Sequence, residues 1–380
     1  MLNSVFELGR DAATFKIDGV DGSQWTIHGP GSDGSPVRLE KSDVGELYDA
    51  PAVTSMKSRV GQPGAHFLGV RFPERHIPFR LTSFASSPME WARVDSALRR
   101  AFSYEEDATL TVVSPLSGAR RLKVRLSKEP EYQEDIDPHG LMVGRWEYPL
   151  VALDPFWRGQ DHSDEFVFDG LNWYGGSVTV TNPGDVAAWP KWVLTAPAKF
   201  ILPDVDMKTP GDKRQVVLPF QPLGRTVLVD TDPGEEMIVA NDDVLLWAQM
   251  SGQFFMNPIP PHTTEVDVPV SVDPLPNLPF VIPDEWRRWI AQQIAAWAKE
   301  RGLESMFQTT PEQLATKIRE IITGSVPPWL PPLASEIITG LVAPTIADAI
   351  RDAWGSIGNM AGATAQVRIE TRWSRPWGLE

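Results

Sequence analysis

The sequence predicts a mainly β protein with an α-helical insertion, and three observations support this fold class. Many short segments alternate between polar and apolar residues, which is typical of half-buried strands. Turn-forming pairs such as Asp-Gly and Pro-Gly separate these segments. Proline accounts for 35 of the 380 residues, well above its usual share of about 5%, and this disfavours an all-helical protein. A chain of this length is expected to form two or three domains.

The first predicted domain, residues 1–160, is a β-sandwich or split barrel. In Arg121–Leu126, basic and aliphatic residues alternate, as a strand with one buried face requires. Asp18-Gly19 and Asp33-Gly34 are typical turn pairs between the strands. The predicted strands are Ser23–His28, Val37–Glu40, His66–Phe72, Ile77–Phe84, Thr109–Ser114, Arg121–Ser127 and Arg145–Leu153.

One helix is predicted within this first domain. Ser87 is a suitable N-cap, Pro88 fits the first turn, and Glu90 is placed to complete a capping box. Apolar residues then repeat at helical spacing and form one stripe that must pack on a sheet. These stripe residues are Trp91, Val94, Leu98 and Phe102.

The second predicted domain spans residues 161–276 and is a β-sandwich or jelly roll. Its candidate strands are short and evenly spaced, with turns such as Asn182–Asp185 between them. The predicted strands are Ser177–Thr181, Lys191–Leu194, Gln215–Phe220, Thr226–Val229, Glu236–Val239, Val244–Met250 and Glu265–Val270. Alternation returns at Thr364–Thr371, and a lone strand must pair with something. Residues 363–380 are therefore expected to complete this second domain.

Residues 277–362 are predicted to form a helical insertion. A proline-rich stretch between Asn257 and Pro283 precedes it and indicates an extended connector. Thr310 and Gln313 predict a capping box at the start of one helix. A later apolar run contains Pro344, which is expected to break or kink it.

A candidate assembly face lies at the start of this insertion. It consists of Trp286, Ile290, Ile294 and Trp297, which repeat at spacings of 4, 4 and 3. Such a stripe most often packs within its own domain. Two tryptophans on one helix face also suit an interface between proteins. Both interpretations stay open at this point.

Charge and composition exclude several classes of function. The net charge is −15, and residues 161–283 alone contribute −11 of it. Non-specific nucleic-acid binding needs an excess of lysine and arginine, so it is not expected. The chain has no cysteine, which rules out disulfides, thiolate catalysis and cysteine-based zinc sites. The most apolar run, about Leu333 to Ile350, contains Glu336, Asp348 and Pro344, so no membrane span is expected.

No motif predicts catalytic, cofactor-binding or metal-binding residues. Gly29–Gly34 matches G-x-G-x-x-G, but a strand pattern follows where a nucleotide site needs a helix. Asp230–Glu236 resembles a calcium loop yet lacks two of its ligands, and a hairpin turn explains it better. The six histidines show no metal-ligand spacing. We therefore expect a protein that is not an enzyme and that needs no cofactor.

The pair Trp173 and Tyr174 is a candidate for stacking on sugar rings, as in carbohydrate-binding modules. The neighbouring Trp189 and Trp192 belong to the same group of aromatic residues. The alternative is that these rings fill the core or an interface between subunits.

Four stretches, in this order and spacing, resemble the minor tail proteins of long-tailed actinobacteriophages, in particular the distal tail protein type. The resemblance covers nearly the whole chain apart from the helical insertion. The stretches are Trp25–Pro30, Leu153–Arg158, Asn182–Asp185 with Trp189–Trp192, and Trp373–Glu380.

The resemblance implies a virion structural protein at the distal end of a phage tail, assembled in the host cytoplasm. Its first domain would close a homo-oligomeric ring, usually hexameric, and its second would be a galectin-like or carbohydrate-module-like sandwich. The implied partners are further copies of the chain, the major tail tube protein and the tail-tip hub or tail-associated protein. The tape measure protein and a host-surface glycan are additional candidates. The ring would leave a channel for DNA. A receptor-recognition module that binds carbohydrate at the tail tip is the alternative function.

Overall fold

The computed structural model describes most of the chain. The described residues are 12–40, 47–61, 63–169, 176–209, 211–222, 224–235, 237–242, 244, 246–250, 252–273, parts of 289–300, 310–326, 328, 331–348 and 362–380. The chain divides into two compact units. The first unit comprises Met1–Gln160, Pro183–Val186 and Glu370–Glu380, and the second comprises Asp161–Asn182 and Ala187–Ile369.

The described elements are mostly short strands. The strands are β1 (Thr14–Asp18), β2 (Gln24–His28), β3 (Val37–Leu39), β4 (Val53–Lys57), β5 (His66–Arg71), β6 (Arg75–Phe84), β7 (Ala108–Ser114), β8 (Gly118–Leu126), β9 (Glu131–Tyr132), β10 (Val143–Ala152), β11 (Trp157–Arg158), β12 (His162–Val167), β13 (Gly176–Asn182), β14 (Lys191–Thr195), β15 (Phe200–Pro203), β16 (Gln215–Val217), β17 (Thr226–Asp230), β18 (Ile238–Ala240), β19 (Thr263–Val272), β20 (Thr364–Ile369) and β21 (Arg372–Trp373). The helices are α1 (Pro88–Arg100), α2 (Pro138–Leu141), α3 (Pro311–Gly324) and α4 (Pro332–Ile337).

The first unit is a nearly closed antiparallel barrel. Its strands follow the order β2-β1-β7-β8-β10-β6-β3, and the two end strands, β2 and β3, lie close together. Buried side chains such as Ile17, Leu110 and Val124 fill the interior. Helix α1 contributes Leu98 to this core, because its apolar stripe faces the sheet.

The N-cap of α1 agrees with the prediction, but the capping box does not form. The Ser87 hydroxyl accepts a hydrogen bond from the Glu90 amide. The Glu90 carboxylate, which the sequence predicted to bond the Ser87 amide, instead accepts hydrogen bonds from the amide and hydroxyl of Ser86. The Glu90 bond is therefore shifted by one residue, from Ser87 to Ser86.

The second unit contains a β-sandwich. One sheet has the order β12-β20-β14-β17-β18 and the other has the order β13-β19-β15-β16. Both sheets supply side chains to one core, including Trp192 and Val367 from the first sheet and Phe200 and Val270 from the second. The predicted fold class, mainly β with a helical insertion, is confirmed.

Two features of the second unit differ from the prediction. Val244–Met250 was expected to be a strand, yet Leu246–Gln249 forms a 3₁₀ helix with Leu246 buried. The C-terminal residues were expected to complete the second sandwich as far as residue 380. Only β20 does so, by pairing with β12 and β14. Residues 370–380 belong to the first unit, where β21 pairs with β11.

The helical segment has a small core of its own. Helix α3 starts at the predicted capping box, in which the Thr310 hydroxyl accepts from the Gln313 amide. Its buried Ile318 and Ile322 pack against Ile338 and Ile346. Pro344 does not end the following helix, which continues from residue 332 to 348. Ile338–Val342 forms a π-helical turn just before the proline, which is a common way for a helix to accommodate local disruption.

Among the described helices, none combines the length and the apolar character that a membrane crossing requires.

Candidate assembly surfaces

Among the described elements of the first unit, the hairpin formed by β4 and β5 exposes the most large apolar side chains. Met56 is directly opposite Phe67 in the register, and these side chains are 62% and 65% exposed. Leu68 is 64% exposed and Val70 is 47% exposed. Every residue of the two strands is exposed except Gly69, which is half-buried. The described part of the chain thus leaves the apolar side chains of the hairpin uncovered.

A hairpin of this kind is not stable through its own contacts. An isolated pair of strands is marginal in water, because it has too little surface to bury. The β4–β5 sheet contains these two strands alone in the described part of the chain. At its base, the ring of Phe72 meets that of Phe156 edge to face at 5.1 Å. The rest of the hairpin has the properties of a surface that a partner covers.

The sequence predicted part of this element. His66–Phe72 was expected to be a strand, and β5 occupies it, whereas β4 was not predicted. The exposure of the pair was also not predicted, because a strand that pairs with a partner protein has the same β-forming residues as a core strand.

The predicted assembly face in the helical segment is described only in part. Ile290 is fully buried, and Trp297 is half-buried against the same helical core. For Ile290 this is the packing alternative stated above. Trp286 and Ile294 lie outside the described residues. An assembly role for the four-residue face stays a prediction.

The predicted sugar-stacking residues, Trp173 and Tyr174, also lie outside the described residues. Of the two related tryptophans, Trp192 is 1% exposed and lies in the sandwich core. Trp189 is half-buried. Trp192 therefore has no ring face available to a sugar, and carbohydrate binding through the first pair stays a prediction.

Two buried arginines, which no sequence motif indicates, organise the first unit. Arg75 is 2% exposed. Its guanidinium donates to the backbone oxygens of Pro155 at 2.7 Å, Leu47 at 2.8 Å and Ser374 at 3.0 Å. Burial lowers its pKa to about 10, so it stays charged near neutral pH. Arg75 thus ties three distant segments of the first unit together.

Arg120 performs a similar task for the C-terminal segment. Its guanidinium donates to the backbone oxygen of Arg375 at 2.9 Å and to the Glu380 carboxylate at 2.9 Å. Burial lowers the pKa of Arg120. The sequence indicates this role only through the position of Arg120 in the alternating pattern. Arg120 falls on the inward-facing side of β8, where Leu122 and Val124 are buried.

Two of the four stretches that carried the family resemblance meet in this region. Trp157 is fully buried and donates from its indole nitrogen to the Leu47 oxygen at 3.2 Å. Trp157 also pairs with Trp373 across β11 and β21. These stretches therefore form one structural core of the first unit rather than an exposed site.

Within the described part of the chain, no group of three or more histidine, aspartate or glutamate side chains could hold a metal ion.

Comparison with known proteins gives two kinds of match, and no family model matches the chain. The chain is 27% identical over 303 residues to the minor tail protein Gp27 of Mycobacterium phage L5, covering 66% of this chain and 89% of the relative. It is 27% identical over 301 residues to the minor tail protein Gp27 of Mycobacterium phage D29, with the same coverage.

Among solved structures, the chain is similar to the Dit protein of phage SPP1, described as a hub of the adsorption apparatus in phages that infect Gram-positive bacteria. That match has a TM-score of 0.46 and 13% identity, and it covers 69% of this chain and 94% of the other. A second match is the baseplate of phage P2 in its activated conformation with calcium, with a TM-score of 0.40, 12% identity, and coverage of 69% and 97%.

Proposed function

We propose that this chain, a relative of the minor tail proteins of mycobacteriophages L5 and D29, is a non-enzymatic structural component of a phage tail that forms a closed ring at the distal end. The exposed β4–β5 hairpin carries the proposal. In a ring, the hairpin of each copy lies against the next copy, and the interface closes on itself.

The physical argument rests on the uncovered edges and apolar side chains of the hairpin. An exposed edge strand tends to pair with another chain. Strand addition satisfies its backbone groups, while Met56, Phe67 and Leu68 supply apolar area to the same interface. A closed ring uses every such hairpin once, so none is left free to aggregate.

The proposed partners beyond the ring follow the family resemblance. The tail tube protein would lie on one side of the ring and the tail-tip hub on the other, with the tape measure protein as a further neighbour. The ring would leave a channel for DNA during ejection. The net charge of −15 suits this role, since an acidic protein does not hold phosphates tightly.

The first experiment measures the mass of the purified full chain and of a hairpin variant. The double substitution Met56→Asp with Phe67→Asp places two charges in the proposed interface, so we expect a shift from ring to monomer by mass photometry. The matched control is Leu116→Asp with Leu141→Asp, which changes two residues of the same unit that are 82% and 46% exposed. This control should keep the ring.

A second experiment locates the protein in the particle. Electron microscopy of intact tails should show the chain as a ring between the tube and the tip. The proposal fails if the wild-type chain is monomeric both alone and in tails, or if the hairpin variant assembles as well as the control.

A further inference from the structure

The solvent-facing surface of β1, β7 and β8 carries three lysine and arginine side chains that we call the basic face: Lys16, Arg121 and Lys123. All three are exposed. In the register, Lys16 lies opposite Thr111, and Thr111 lies opposite Arg121. Since neighbouring strands are about 4.8 Å apart, Lys16 and Arg121 are about 10 Å apart at their backbones. Lys123 follows Arg121 on the same side of β8, about 7 Å along the strand.

Two members of the basic face, Lys16 and Arg121, line an open depression of about 320 Å³. Its lining also includes the carboxylate of Asp18 and the polar side chains of Gln24, Thr26 and Thr111. Two cations against one carboxylate leave the depression with a net positive charge, which attracts carboxylates or phosphates.

The three cations have no carboxylate partner among the described residues, in contrast with their neighbours. Arg125, the next basic residue of β8, pairs with Asp107 at 2.7 Å. Arg158 on β11 pairs with Asp154 and Glu370, both at 3.1 Å. No ion pair of this kind is found for Lys16, Arg121 or Lys123 within the described chain.

The arrangement also brings like charges together. Arg121 lies directly opposite Arg158 in the β11–β8 pair, and like charges at opposed positions destabilise a sheet. Asp18, the carboxylate that lines the depression, already accepts hydrogen bonds from Gln24 at 2.9 Å and Thr111 at 3.4 Å. Among the described residues, the basic face therefore carries more positive than negative charge.

We infer that the basic face docks against acidic side chains of a second copy of this chain. Residues 161–283 hold 17 acidic and 6 basic residues, so each copy carries the complementary charge. In a ring, each basic face has one neighbouring copy to contact. Charge pairs of this kind fix the orientation of two proteins and exclude wrong registers. This inference rests on the proposed ring and adds to it the contact that sets the register.

Nucleic acid is the less favoured occupant. Three cations would neutralise few phosphates, and the net charge of −15 opposes the approach of a polyanion.

The test reverses charge on the basic face of the full chain. Lys16→Glu with Arg121→Glu changes the net charge by the same amount as the control, Arg93→Glu with Arg100→Glu, which alters two exposed arginines of α1. We expect the basic-face variant to weaken self-association by about tenfold or more at low salt, and the control to leave it nearly unchanged. Raising the salt should weaken the wild type and reduce the difference between wild type and variant, since charges are screened over about 8 Å at physiological ionic strength.

A carbodiimide cross-linker then identifies the partner directly. It joins a lysine amine to a carboxylate in contact, and a mixture of isotopically light and heavy copies reveals links between copies. We expect links from Lys16 or Lys123 to acidic residues of another copy.

The outcomes separate this inference from the ring itself. If rings form and yet show no such link, and the basic-face variant assembles like the control, the inference is wrong and the ring stands. If the wild-type chain forms no ring at all, the proposed function has failed and the inference fails with it. Electrophoretic mobility of duplex DNA tests the other occupant. If the wild type retards the DNA and the basic-face variant does not, the inference is overturned in favour of nucleic acid.

Discussion

The guanidinium of Arg120 lies over the indole ring of Trp373, with its carbon 3.7 Å from the ring centroid. Both side chains are buried, at 1% and 5% exposure. They are far apart in the chain, yet they hold the C-terminal segment to the core of the first unit. A cation over a tryptophan ring in a buried setting contributes about 2 kcal/mol, which makes this pair a principal attachment of residues 372–380.

Arg120→Ala should destabilise the first unit by about 2–3 kcal/mol, because it removes the ring contact and the charged hydrogen bonds to Arg375 and Glu380. Chemical denaturation measures the loss. The control is Arg93→Ala, an exposed arginine of α1 in the same unit, which should change stability by no more than about 0.5 kcal/mol. Equal effects of the two substitutions would contradict the proposed attachment.

The attachment of the C-terminal segment should weaken in acid. Burial tends to raise the pKa of the Glu380 carboxyl, but hydrogen bonds from Ser117 and from backbone amides, with the charge of Arg120, outweigh it and hold the pKa below the ordinary 4.5. The folded state therefore favours the ionised form. Its stabilising contribution is complete above the ordinary pKa and is lost as the pH falls through the lowered one.

Hydrogen–deuterium exchange of residues 372–380 checks this, after correction for the intrinsic effect of pH. Exchange should increase between about pH 6 and about pH 3. Asp49 contributes with the same sign, because a hydrogen bond from Arg375 lowers its pKa. The double variant Glu380→Gln with Asp49→Asn should already exchange fast near pH 6 and show little further change. Unaltered protection of the wild type in acid would refute the prediction.

Gly176 should not tolerate a side chain. A Cβ atom at this position would lie 1.9 Å from the ring of Phe166, and that ring is buried in the sandwich. Gly176→Ala should destabilise the second unit by about 1–3 kcal/mol, as overpacking usually does. Thermal unfolding measures the effect. Gly234→Ala is the control, since its Cβ would come no closer than 3.4 Å to a neighbouring atom, and a loss as large there would point to a different cause.

The helical insertion should be dispensable for folding of the second sandwich. Among the described residues, the sandwich core and the helical core share no member. Replacing residues 277–361 with a short glycine-serine linker should therefore leave cooperative unfolding of the sandwich intact by circular dichroism. Val367→Asp places a charge in the sandwich core and serves as the control in which the sandwich unfolds. A similar loss after the deletion would show that the sandwich depends on the helices.

Local pattern was enough to predict most strands of both units. β8 is an example, since its basic and aliphatic residues alternate from Arg121 to Leu126. With a period of two, this alternation tells which side of the strand is buried. The run Val244–Met250 misled the prediction because it is apolar without clear alternation, and a short apolar run fits a strand or a helical turn equally well.

Contacts between distant segments left no local signal. Nothing near Arg120 in the sequence indicates that Trp373 lies against it. A single arginine on the aliphatic side of a strand does not show which distant residue it contacts. The exposed hairpin presents the opposite difficulty. Its residues have ordinary strand-forming side chains, and only the folded structure shows that the described part of the chain leaves Met56 and Phe67 exposed.

The chain leaves the first unit after residue 160, contributes residues 183–186 to it and returns to it at residue 370. This path has a consequence for damage to the particle. If a protease cuts once between residues 187 and 369, each of the two fragments still contains part of the first unit. The two fragments would stay joined through the hydrogen bonds and the ring contact that Arg120 and Arg75 make with residues 373–380. A nicked copy would thus retain its second unit in place of shedding it.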